Sequence, residues 1–389
     1  MEPEASVGKQ GFVMPLASDM HTHLRQGKMT EFVTPMVRLG GCRRVLVMPN
    51  TEPPITTCAQ AAAYREKLQQ IDNSVEYLMT LYLSRDVSAE DLKTNAKACH
   101  VVGVKSYPRG VTTNSENGVE SYEDYYSLFE VMSEQALTLH LHGEVPGAGP
   151  LEAEELFLPT FEQLHSRFPS LRIVLEHVST ASAIRAVRSK PPNVAATITP
   201  HHLMLTIDDV LKPDAITSAS SPRDAPTCCS ADAVAQPHNF CKPLAKTKED
   251  REALRQVVRD GDSHFFLGSD SAPHPRSRKE ASRPAAGVFT QPLLLSYLAD
   301  FFTRLGCIRN LRKFTGVNAA KFFGFSDAGL AEGRDCAVIE PSPQMVPDVY
   351  LLPSDKTEGV VPFMAGQQLQ FTVTIQPYDR SKFTMYELL

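Results

Sequence analysis

Short apolar runs alternate with amphipathic stretches along this chain. The runs are Phe12–Asp19, Arg44–Asn50, Glu76–Ser84, Val101–Tyr107, Leu137–Glu144, Leu171–Val178, Val194–Pro200 and His264–Asp270. Each is continuous rather than alternating, the pattern of a strand buried on both faces of a parallel sheet. Between them TTCAQAAAYREKLQQI, VSAEDLKTNAKAC, SYEDYYSLFEVMSEQ and KEDREALRQVVRDG place apolar residues at i, i+3, i+4 spacing, several of them starting near Ser or Thr, as capped helices require. Eight strand–helix units in about 300 residues predict an α/β fold, a (β/α)₈ TIM barrel.

No internal repeat or long linker divides the 389 residues, and the 29 Pro and 21 Gly are spread as punctuation. The expected organisation is a barrel over 12–325 and a short C-terminal extension over 326–389 packed on it. The rhythm breaks once, from about Leu205 to Asp262, where a Pro- and Ser-rich segment is long enough to be a functional loop.

Composition narrows the class. With 42% hydrophobic and 22% charged residues the chain is neither disordered nor fibrous. A net charge of −6 argues against a broad footprint for nucleic acid or an anionic membrane, so any anionic ligand must meet local cations. No apolar run approaches the roughly 18 residues a membrane span needs, and the first thirty residues carry no targeting pattern, so a cytoplasmic protein is expected. The eight cysteines show no CxxC spacing and are read as reduced thiols.

In a barrel of this kind chemistry sits at the C-terminal ends of the strands. There the chain is rich in metal-ligand types. The first run ends in Asp19-Met20-His21-Thr22-His23, where period 2 puts both imidazoles on one face. The fifth ends in His140-Leu141-His142, the sixth in Glu176-His177 and the eighth in Gly268-Ser269-Asp270; the fourth carries Lys105 after an apolar stretch that disfavours an ammonium. One such histidine is more often a hydrogen-bonded core residue than a ligand, Lys105 alone could pair with an acid, and Asp270 could be a turn former. Their coincidence on separate strand ends is hard to obtain from packing needs. His140 is the weakest member, sharing a face with His142.

The runs DMHTHLR, VMPN, VKSYPRGVTTNS, LHGEV, LEHVST, TITPHHLM and FLGSDSAPHPRSRKE together resemble dihydroorotases of the monofunctional, bacterial-like type, within the amidohydrolase superfamily, over about residues 12–370. The resemblance implies two Zn²⁺ per chain, bridged by N6-carboxylated Lys105, with His21, His23 and Asp270 on one ion and His142 and His177 on the other. It implies Asp270 as general acid/base in the reversible cyclisation of N-carbamoyl-L-aspartate to L-dihydroorotate, a step of pyrimidine biosynthesis, and a homodimer. Arg25, two residues past His23, offers a planar fork for the substrate carboxylate. The family pattern adds Asn50 and His274 as substrate partners, backbone contacts at Lys242 and Ala286, and a closing loop with Thr112 and Thr113. Lys242 departs from the aliphatic residue of bacterial members.

Three rivals are weighed. Dihydropyrimidinases, hydantoinases and allantoinases share the metal cluster but carry a β-sandwich built from both chain ends, for which only about eleven residues before the first run leave too little room. A catalytically inactive scaffold would be expected to have lost ligands. A mononuclear deaminase is disfavoured by Lys105.

Overall fold

The first apolar run splits at Leu16: β1 (Phe12–Pro15) leaves the barrel and β2 (Ala17–Thr22) opens it. The computed structural model of the chain describes residues 11–111, 115–218, 232–326, 329–383 and 387–388. From β2 the strands β3 (Cys42–Val47), β4 (Glu76–Tyr82), β5 (Val101–Ser106), β6 (Thr138–His142), β7 (Arg172–Glu176), β8 (Val194–Ile198) and β9 (Phe265–Leu267) pair in parallel with their chain neighbours, giving one eight-stranded sheet. A bridge between Thr22 and Ser271 and the bond from Asp270 N–H to the His21 carbonyl (2.9 Å) draw the last strand to the first. This is the expected TIM barrel.

The helices form where their capping groups stand. Thr57 and Gln60 make a reciprocal capping box at the start of a helix over Cys58–Ile71, Ser88 caps Ala89–Asn95 and Thr180 caps Ala181–Arg188. Thr247 and Asp250 cap Lys248–Asp260, which ends at Gly261 in the left-handed conformation that glycine adopts without penalty. The outward faces of the strands and these helices form the main core, with Val45, Val47, Leu139, Leu141, Ile173 and Leu175 fully or almost fully buried. A second cluster takes one residue from each of six barrel strands, Met20, Leu46, Leu78, Val174, Ala195 and Phe266, and seats them on Phe322 and Phe323.

β1 overturns one expectation. It pairs antiparallel with Asp335–Glu340, which pairs in turn with Thr372–Pro377, while Glu387–Leu388 lies along its other edge. A four-stranded sheet is thus built from both ends of the chain, and β1 belongs to it rather than to the barrel. Four residues suffice because both faces are covered: Phe12 and Met14 enter the main core, while Val13 packs with Cys336, Val338 and Tyr378. Too little room at the N-terminus is therefore no ground for excluding the hydantoinases.

The interval 205–262 packs a small cluster of its own around Ile207, Leu211, Val234 and Phe240, and delivers Cys241 and Lys242 to the barrel mouth. All six cysteines among the described residues are free thiols. None of the described helices is long and apolar enough to cross a membrane.

Candidate metal centre and substrate cleft

The strand ends carry their imidazoles into one continuous run. Ring centroids step 5.5 Å from His23 to His21, 5.1 Å from His21 to His177 and 4.7 Å from His177 to His142. Asp270 closes one end, its Oδ1 3.0 Å from Nε2 of His23 and 3.5 Å from Nε2 of His21. The donor atoms of these three residues lie within 4.8 Å of one another. At the other end Nδ1 of His142 faces Nε2 of His177 at 3.1 Å. Three non-glycine residues here, Arg25 (φ 59°), His177 (φ 43°) and Asp270 (φ 45°), hold left-handed backbone, a strain of about 1–3 kcal/mol each that persists where surrounding structure imposes it.

Three of the four imidazoles in the run have their far nitrogen tied, while Nδ1 of His177 has no hydrogen-bond partner among the described residues. Glu176 takes Nδ1 of His21 (2.7 Å) on one oxygen and Nδ1 of His140 (2.6 Å) on the other. Asn50 accepts from Nδ1 of His23 (2.8 Å), and Glu144 holds Nε2 of His142 (2.7 Å). These bonds leave Nε2 of His21, Nε2 of His23 and Nδ1 of His142 as lone-pair donors facing the centre. Burial pulls His23 down to about 4 and depresses His142 and His177 as well, so these rings are neutral near pH 7, the form that ligates. Burial alone would raise Asp270, but the His23 hydrogen bond and the neighbouring imidazoles hold it well below the usual carboxylate range.

Lys105 is fully buried, its Nζ without a hydrogen-bond partner among the described residues and 5.2 Å from the Tyr107 ring centre. Burial draws it down to about 8, partly opposed by Glu176 and Asp270. An orphaned, readily neutralised amine inside a ring of imidazoles and a carboxylate is a group whose partner has yet to be added.

Above the centre lies a cleft that His21, His23, Arg25, Asn50, His142, His177, Lys242, Asp270 and Ala286 line together with Tyr107. His274 lines an adjoining hollow that shares His23, Arg25 and Asn50 with it. Arg25 Nε donates to the Pro273 carbonyl (2.9 Å). Its Nη2 lies 3.1 Å from His274 Nε2, which is also 3.0 Å from the Ala286 carbonyl. That nitrogen can serve only one of the two, so the guanidinium keeps N–H groups for a ligand. Thr112 and Thr113 lie outside the described residues.

The comparisons with known proteins point one way. The chain is 41% identical to the probable dihydroorotase of Schizosaccharomyces pombe, covering 92% of this chain and 97% of that one. It is 39% identical to the dihydroorotase of Mycosarcoma maydis, covering 94% and 98%. The chain belongs to the dihydroorotase family. It superposes on the crystal structure of Saccharomyces cerevisiae dihydroorotase in complex with 5-fluoroorotic acid with a TM-score of 0.83, at 36% identity, over 95% of this chain and 99% of that one. An L-hydantoinase from Arthrobacter aurescens shares the fold, with a TM-score of 0.71, at only 17% identity. No protein-family model matches the chain. Dihydroorotases are amidohydrolase-superfamily enzymes that act on a cyclic amide.

Two carboxylates, Glu176 and Glu144, support the imidazoles from behind. The strand-end pattern assigns no role to Glu176 or Glu144, although Glu144 stands two residues past His142 where a strand would put it on the same face. Asn50, expected against substrate, lines the cleft and also orients His23. Asp19 joins β2 to the segment of Asp270: it accepts from Ser269 N–H (2.7 Å), Ser269 Oγ (2.6 Å) and Gln291 Nε2 (2.5 Å), with burial raising its carboxyl to about 6 against these bonds.

Proposed function

We propose that this chain is a dihydroorotase that interconverts N-carbamoyl-L-aspartate and L-dihydroorotate at a centre of two zinc ions bridged by carboxylated Lys105. The observation that carries the reading is the convergence of His21, His23, Asp270, His142 and His177 on the orphaned amine of Lys105, beside the guanidinium of Arg25. The donors fit the ions. Lone pairs already face inward, neutral imidazoles favour zinc over harder cations, and the neutral amine that carbamate formation needs is accessible near pH 8. His21, His23 and Asp270 would hold one ion and His142 and His177 the other, with the Lys105 carbamate between. When bound, the ions would supply a polarised amide carbonyl and a water acidic enough to attack near neutral pH.

The chain's own groups do the rest. Arg25 directs its fork at the free carboxylate of the substrate, helped by His274, while Lys242 and Ala286 border the ring. The 5-fluoroorotic acid bound to the S. cerevisiae relative, a pyrimidine carboxylate, supports that anion site. Asp270 takes the proton of the attacking water on its carboxylate and delivers it to the departing ring nitrogen; in the closing direction it takes a proton from the carbamoyl nitrogen. In this reading the unit over 12–325 carries the chemistry in its barrel, with 326–389 packed on it and sharing a sheet with β1, in a cytoplasmic homodimer.

Substrate comparison tests the assignment. The purified chain should turn over L-dihydroorotate and N-carbamoyl-L-aspartate, contain zinc, and leave dihydrouracil, hydantoin and allantoin nearly untouched. Preference for any of the last three would overturn it.

A further inference from the structure

Beside the cleft, and outside the centre just described, stands a second group of soft donors. His201 follows β8 in a short helix (Pro200–Met204), with His202 beside it, and Cys241 comes from the far end of the 205–262 interval. All three are at most 2% exposed, and their donor atoms lie within 4.8 Å of one another. Both ring nitrogens of His201 are buried with no hydrogen-bond partner among the described residues, as is Nδ1 of His202. A fully buried imidazole with neither nitrogen satisfied is costly unless something binds it. Cys241 Sγ lies 3.9 Å from His202 Nε2, and the Pro243 carbonyl oxygen is 3.2 Å from the sulfur and 2.9 Å from that nitrogen. A tetrahedral ion with bonds of about 2.0–2.3 Å spaces its donors about 3.3–3.7 Å apart, so small shifts would bring these atoms onto one ion.

We propose that His201, His202 and Cys241, with the Pro243 carbonyl as fourth donor, form a third cation site for a borderline divalent ion such as zinc. Nitrogen and thiolate donors select such an ion over magnesium or calcium. On binding, the S–H bond of Cys241 breaks, its proton goes to solvent and a sulfur–metal bond forms; His202 binds through Nε2 and keeps its ring proton on Nδ1. Cys241 shares an apolar cluster with Val288, Tyr297 and Phe363, a surround that suits a structural ion rather than a reacting one. It clamps the helix after β8 to the segment whose next residue, Lys242, lines the cleft. This site stands whether or not the catalytic reading does.

Cobalt(II) distinguishes the sites, because none of the catalytic ligands carries sulfur. The wild-type chain produced with cobalt(II) should show a thiolate-to-cobalt charge-transfer band in the near ultraviolet. Cys241→Ser should lose the band and one ion per chain by elemental analysis, while its remaining metal is unchanged. A variant with Cys228 and Cys229 both replaced by serine should keep the band. A wild-type spectrum without the band overturns the proposal even if Cys241→Ser fails to fold. So does a band that survives in Cys241→Ser or vanishes with Cys228 and Cys229.

Discussion

Nδ1 of His21 lies 2.7 Å from a carboxylate oxygen of Glu176, a residue 155 positions away on the far side of the barrel sequence. Glu176 also holds His140 and accepts from Thr197 Oγ1 (2.6 Å), so a single fully buried anion fixes the ring plane of one centre residue and the packing behind it. Its charge is held well below the usual range: burial opposes ionisation, but the two imidazoles outweigh it. Glu176→Gln keeps the shape and removes the charge. One amide oxygen can still accept from only one ring, so metal affinity and turnover should each fall about 10–100-fold. Zinc titration alongside kcat checks this, and unchanged affinity would show that Glu176 serves packing alone.

Gly103 lies two residues before Lys105 on β5. A Cβ built there would stand 2.3 Å from the Thr138 carbonyl oxygen and 2.8 Å from the His140 ring. The backbone of β6 cannot retreat without losing its ladder, so Gly103→Ala should destabilise the barrel by about 1–3 kcal/mol and displace Lys105. Thermal unfolding measures the first effect and metal content the second.

How much of this was legible in the sequence follows from how far each feature depends on distant residues. The barrel showed because apolar strands buried on both faces leave continuous runs, and the centre showed because His21, His23, His142, His177 and Asp270 stand at the ends of those runs. The break at Leu16 did not show: Phe12 to Thr22 are all buried, so two strands in different sheets look like one. The roles of Glu176 and Asn50 depend on His21 and His23, which only the closed barrel brings to them. Lys279 sits in the charged run Arg276–Glu280 and gives no sign of the burial it has.

Arg25 carries the expected anion site in strained backbone (φ 59°), with its Nε committed to Pro273. Burial draws the guanidinium down to about 10, which still leaves a cation at neutral pH. Arg25→Lys keeps the charge and loses the fork. KM for L-dihydroorotate should rise at least about tenfold, about 1.4 kcal/mol, with kcat changed less. An unchanged KM would place the carboxylate elsewhere.

Lys105, drawn down to about 8 by burial, sets a pH dependence. Carbamate forms from the neutral amine, whose fraction rises with pH up to that value. At constant dissolved carbon dioxide, carboxylation of the metal-free chain should quicken about tenfold per pH unit below 8 and level off above it, whereas an ordinary lysine would keep accelerating to about 10.4. Carbon-13 NMR of the labelled carbamate follows the rate. Stability has a matching sign. Between about 8 and 10.5 the unfolded chain holds a proton that the folded chain has lost, so the metal-free protein should gain stability as pH rises through that window.

Lys279 ties the substrate side of the cleft together. It is 3% exposed and donates through Nζ to the carbonyls of Phe240 (2.9 Å), Ala285 (2.9 Å) and Gly287 (2.6 Å). The Phe240 carbonyl also accepts from Gly287 N–H (2.9 Å). Ala286, which lines the cleft, is therefore held between two carbonyls bound to one Nζ, and the segment leading to Lys242 is held by the third. Lys279→Met fills the same space without donors. Buried carbonyls left unpaired cost about 1–3 kcal/mol each, so the unfolding midpoint should drop, and the two segments should drift apart. Because Lys279 touches neither the imidazole run nor Asp270, the loss should fall on substrate binding: KM rising about tenfold, kcat within about threefold, and metal content unchanged. A fall in kcat or metal content with KM intact would mean that the strap supports the centre itself rather than the wall that receives the ring.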